Sequence, residues 1–120
     1  MALNNIKPDI RFLKNGVIEL SSRVTNLLNI QNGDVINFDF DGIETYLYLD
    51  VKNPCTGSYK GICRSSKNNG RHMRVYWADA VKHITHPCGT QQAYYRVGDP
   101  VERCGKKMLP IITRINLYQK

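Results

Sequence analysis

A chain of 120 residues with 42% hydrophobic and 22% charged residues has the size and composition of one folded domain, not of a disordered segment. No apolar run approaches the ~18 residues that a membrane-crossing helix needs, and the opening MALNNIKPDIRF lacks a secretory apolar stretch. The expectation is a cytoplasmic protein, 1–120 as a single domain, with no membrane partner and with Cys55, Cys63, Cys88 and Cys104 as reduced thiols.

The net charge of +7 is unevenly spread. Residues 1–60 hold 6 Lys+Arg against 7 Asp+Glu, whereas residues 61–120 hold 11 against 3. This asymmetry predicts a polyanionic partner for the second half, with plain solubility as the competing explanation.

In chain order, DIRFL (9–13) suits a short strand, Asn15-Gly16 a turn and VIEL (17–20) a second strand. Ser21 or Ser22 can cap a helix whose apolar stripe is Val24, Leu27, Leu28 and Ile30, with Asn32-Gly33 as its end. VINFDF (35–40) alternates, and Asp41-Gly42 marks a tight hairpin into IETYLYLDV (43–51). This hairpin predicts Phe38, Phe40 and Leu47 or Leu49 in the core, and Glu44, Tyr46, Tyr48 and Asp50 on the opposite face.

Beyond a turn-rich 52–58, YKGIC (59–63) reads as a strand, RSSKNNG (64–70) as a basic loop and RHMRVYW (71–77) as a strand. ADAVKHI (78–84) reads as a short helix and 85–92 as a loop. A strand over 93–101 is interrupted at Gly98-Asp99-Pro100, and a turn follows at 103–105. MLPIITRINLY (108–118) alternates as a last strand, with Pro110 placing it along an edge at that point. Strand–helix–strand–strand occurs in 17–51 and, more loosely, in 71–118. The fold class expected is mainly β, barrel-like or β-rich α+β, with two short helices; a duplicated half-barrel would explain the recurrence, and an α+β sandwich with no internal symmetry is the alternative.

Within 16–49, Gly16, Val17-Ile18, Leu28-Asn29-Ile30, Gly33-Asp34 and the 35–49 hairpin fall in one ungapped order. This segment resembles the AbrB-type swapped-hairpin family of bacterial transition-state regulators and antitoxins, over about residues 10–51. The resemblance implies two interlocked units forming a small barrel, and DNA contacts from Arg11, Lys14 and Arg23. Thr25 and Asn26 stand where the family often carries arginine. Those three residues are therefore expected to matter less than the second half.

The strongest local feature is YKGICRSSKNNGRHMRVYW (59–77), with Lys60, Arg64, Lys67, Arg71 and Arg74 interleaved with Tyr59, Tyr76 and Trp77. Lysine and arginine neutralise phosphates, and aromatic rings stack on exposed bases. These five basic residues are the nucleic-acid-binding candidates. A solvated hairpin with inward-facing aromatics is the plainer alternative.

His83, His86 and Cys88 lack the paired spacing of a structural zinc site, so no metal is expected. No carboxylate is placed to orient a histidine toward a cysteine, and Gly57 and Gly61 do not form a phosphate loop. Asp39, Asp41, Glu44 and Asp50 read as a solvated hairpin face. The sequence thus predicts a non-catalytic, cofactor-free binding protein with nucleic acid as partner. The alternative is a structural or protein-interaction module of a bacterial assembly or mobile element.

Overall fold

The computed structural model describes residues 7–54, 59–65, 72–86, 89 and 91–118. Alternating apolar residues build its first hairpin. Ile10 and Phe12 of β1 (Ile10–Phe12) and Ile18 and Leu20 of β2 (Val17–Leu20) point to one side and are fully buried, while Arg11 and Glu19 point outward.

Helix α1 (Ser22–Leu28) follows, with the Ser21 hydroxyl accepting a bond from the Val24 amide. Asn29, at φ 53°, ends the helix, earlier than the Asn32-Gly33 expected from sequence. A short polar side chain tolerates the left-handed region, so asparagine serves there as glycine often does.

Strands β3 (Val35–Phe40) and β4 (Thr45–Val51) form the expected second hairpin, but its connection is longer than a tight turn. The Asp41 carboxylate accepts from the amides of Ile43 and Glu44, which folds 41–44 into a loop and takes Ile43 and Glu44 out of the strand. The core assignment of Phe40 is overturned: it is 61% exposed. Phe38 is half-buried against Phe12 and Trp77, with ring centroids 5.9 and 5.8 Å away, and Leu47 is fully buried. Tyr46, placed on the solvent face by alternation, is buried because the Arg103 guanidinium lies over its ring at 4.3 Å.

In the second half, β5 is Cys63–Ser65 instead of 59–63, so Arg64 belongs to a strand and not to the basic loop. β6 (Met73–Tyr76), α2 (Ala78–Thr85), β7 (Ala93–Val97), β8 (Val101–Arg103) and β9 (Lys106–Ile112) complete the order. The expected break at 98–100 falls between β7 and β8.

Two sequence expectations for the last strand fail. It ends at Ile112, and it is not an edge, because β4 lies along one side and β7 and β8 along the other. Pro110 is accommodated where β7 gives way to β8, and its carbonyl accepts from the Gly98 amide.

The strands run β3-β4-β9-β7-β1-β2-β6-β5, with β8 flanking β9. A bridge between Val35 and Ile62 joins the two ends, so the antiparallel sheet is barrel-like and nearly closed. Glycine is required at that seam: a Cβ on Gly61 would run into the carbonyl oxygen of Ile36.

The pairing has an internal symmetry. Exchanging β1, β2, β3 and β4 with β5, β6, β7 and β9 leaves the set of partners unchanged, with the Val35–Ile62 bridge as counterpart of the β1–β7 pair. Each unit is strand, strand, helix, strand, strand, and the first hairpin of one is inserted between strands of the other. The core spans both, from Phe12, Ile18 and Val24 to Val75, Tyr95 and Leu109. No helix among the described residues is long and apolar enough to cross a membrane.

Candidate nucleic-acid interface

Because β1–β2 is inserted between β7 and β6, outward residues from both halves fall into one transverse row. The register is Tyr94 opposite Arg11, Arg11 opposite Glu19, Glu19 opposite Arg74 and Arg74 opposite Arg64. Glu19 is the row's single carboxylate. It meets Arg11 at 3.4 Å and Arg74 at 3.7 Å. Arg11 also lies 5.2 Å over the Tyr94 ring, which packs edge-on against Tyr118.

Arg64 has no ion-pair partner among the described residues, and its direct neighbour is another arginine. Like charges directly opposite each other weaken an antiparallel pair. Beside Arg74 on β6, Tyr76 holds the same outward side of the strand and is 66% exposed.

Beside the row lies a groove of about 570 Å³ whose wall includes Arg11, Glu19 and Arg74. Among the described residues that line it, Lys7, Arg11, Arg23, Arg74 and Arg96 stand against two carboxylates, Asp9 and Glu19. Asp9 is buried. Its Oδ2 accepts from Arg23 at 3.0 Å and from the Val97 amide at 2.9 Å, and lies 3.1 Å from Arg96 Nε.

Of the five residues chosen from sequence, Arg64 and Arg74 are brought together in this row. Lys60 is not: it is exposed and pairs with Asp79 of α2 at 3.4 Å. Lys67 and Arg71 lie outside the described residues. Arg11 and Arg23, expected to be secondary, join Arg74 at the groove, while Lys14 is exposed and does not line it. Lys7, Asp9 and Arg96 had no sequence signal, because only strand pairing places Asp9 beside β7.

The charge imbalance between the halves is therefore not an imbalance between faces. Four of the seven acids of the first half, Asp39, Asp41, Glu44 and Asp50, lie on the β3–β4 hairpin, where Arg103 meets Asp39 at 3.0 Å and Lys106 meets Asp50 at 3.7 Å. The Glu44 and Ile43 amides hold the Asp41 carboxyl below the usual range despite some desolvation. Desolvation, then hydrogen bonding to Glu44 and Asp41, pushes the Tyr46 phenol up.

The two described thiols sit in different settings. Cys63 is buried in the core, and burial pushes its thiol up to about 12, so it is a poor nucleophile. Cys104 is exposed in the β8–β9 turn. Cys55 and Cys88 lie outside the described residues. Among the described residues, no three His, Cys, Asp or Glu side chains converge as metal ligands.

Comparison with known proteins finds no family model, no curated protein and no solved structure that matches this chain.

Proposed function

We propose that the protein binds nucleic acid through the outer face of β7-β1-β2-β6-β5. The observation that carries this reading is the Arg11–Glu19–Arg74–Arg64 row, which sets three arginines in register with one carboxylate that pairs with only two of them. A fold selected for stability alone gains nothing from facing Arg64 with Arg74. A polyanion laid across the strands would relieve their repulsion and release its own counterions. Tyr76 offers a ring for base stacking next to the row. Phosphate contacts of this kind carry no base information, so the reading is of binding with little sequence preference.

Fluorescence anisotropy with labelled single-stranded and duplex oligonucleotides tests it. Log affinity should fall linearly with log salt, with a slope of about −3 on duplex if three phosphates are neutralised, and less on single strands. No binding even near ~50 mM salt would refute it.

A protein-interaction module is the second reading, favoured by Phe40 at the end of β3 and Ile43 in the loop that follows, 61% and 86% exposed and both lining one pocket. Under that reading, oligonucleotide binding is absent and the hairpin loop, not the arginine row, is the sensitive surface.

A further inference from the structure

We propose that the groove beside the row contains a phosphate subsite formed by the guanidinium groups of Arg23 and Arg96, with Asp9 as its positioning residue. The proposal rests on the nucleic-acid reading for the source of the phosphate, a backbone phosphodiester, and not for the existence of the subsite.

The first observation is organisation. One buried carboxylate orients two arginines from opposite halves of the chain: Arg23 from α1, 3.0 Å from Asp9 Oδ2, and Arg96 from β7, 3.1 Å from the same oxygen. Backbone carbonyls complete the restraint. Arg23 donates to Val97 O at 3.0 Å, and Arg96 donates to Lys7 O at 3.1 Å. Both guanidiniums are thereby fixed before any ligand arrives, which reduces the ordering cost of binding.

The second observation is charge. A single carboxylate balances one arginine, so the pair keeps an excess positive charge, and the nearby Lys7, Arg11 and Arg74 add to it. A purely structural ion pair for Asp9 would need only one of the two.

The third observation is unused hydrogen-bonding capacity. A guanidinium has five N–H donors in a planar fork. Arg23 engages Nη1 and Arg96 engages Nε and Nη1, so Nε and Nη2 of Arg23 and Nη2 of Arg96 have no partner among the described residues. Both side chains stay more than a third exposed, and both line the groove. Planar N–H forks match the tetrahedral oxygens of a phosphate far better than a lysine ammonium does. The groove, at about 570 Å³, has room for a phosphate and the sugar attached to it.

Inorganic phosphate is the probe. Its binding is followed through the arginine Nε–H resonances of the full chain, with thermal unfolding as the check on folding. Phosphate should move the Arg23 and Arg96 signals. Arg23→Lys keeps the charge and loses the fork, and should weaken phosphate about tenfold. Asp9→Asn raises the net positive charge yet frees both arginines, and should also weaken phosphate. Unchanged affinity in Arg23→Lys, or tighter binding in Asp9→Asn, would overturn the subsite and leave a merely cationic groove. If Asp9→Asn does not fold, Arg23→Lys decides alone.

The source is read in a second arm. If a saturating oligonucleotide displaces inorganic phosphate, the subsite lies on a nucleic-acid path. If phosphate binds undisturbed beside it, or binds when no oligonucleotide does, the subsite stands for a free phosphate compound and the nucleic-acid assignment of its ligand falls. Arg64→Ala lies outside the subsite. Lost oligonucleotide binding with phosphate binding intact in that variant separates the two readings.

Discussion

Arg64 and Arg74 occupy directly opposed positions on β5 and β6, and only Arg74 reaches a carboxylate, Glu19 at 3.7 Å. The pair is therefore a cost to the β5–β6 ladder that the unliganded fold carries. Arg64→Glu converts a like-charge pair into an attractive one. It should stabilise the protein by roughly 0.2–1 kcal/mol in chemical denaturation at low salt, with the gain shrinking as salt screens it. A loss of stability would show that the two guanidiniums do not repel in the native sheet.

The β3–β4 hairpin separates two phenylalanines that sequence alternation had treated alike. Phe38 contacts Phe12 and Trp77, and Phe40 is 61% exposed near the loop. Phe38→Ala should cost about 2–3 kcal/mol, below the range for a fully buried ring, and Phe40→Ala should stay within about 0.5 kcal/mol. Equal losses in urea denaturation would contradict this placement.

Acid should unfold the protein in part through Asp34. Burial alone pushes this carboxyl up, but the Lys52 ammonium at 2.9 Å and the amides of Gln31 and Asn53 outweigh it and hold the carboxyl below its ordinary value. A lowered native value means that the unfolded state binds more protons, so this contribution is present above the unfolded aspartate value of about 3.9 and is lost as pH falls through the native one. Asp34→Ala should cost roughly 1–3 kcal/mol at neutral pH, because the amides of Gln31 and Asn53 lose their acceptor. The variant's stability should then depend less on pH below about 4, as read in denaturation curves across acid pH.

Much of the fold was legible because alternation and turn dipeptides are local. The β1–β2 hairpin, both helices, the 35–51 hairpin and the recurrence of strand–helix–strand–strand all followed from spacing. Phe40 and Ile43 were misplaced because the Asp41 side chain captures two amides and lengthens the loop, a choice alternation does not encode. Pro110 was misjudged because the interruption of β7 at Gly98 lets an interior strand tolerate it.

The site was less legible. Arg64 and Arg74 stood out by density in the sequence, but their register with Arg11 and Glu19 depends on the insertion of one hairpin between strands of the other unit. Half-by-half charge counting does not follow the surface for the same reason: Arg11 and Arg23 belong to the negative half of the sequence and line one groove with Arg74 and Arg96 of the other half.

The most direct measurement compares oligonucleotide binding by the native protein, Arg74→Ala and Lys60→Ala over a salt series. Arg74 sits in the row and Lys60 pairs with Asp79 outside it. Arg74→Ala should weaken binding to every sequence alike and reduce the salt slope by about 1, while Lys60→Ala should leave the slope unchanged. Equal slopes for the native protein and Arg74→Ala, or a loss confined to Lys60→Ala, would contradict nucleic-acid binding by the arginine row.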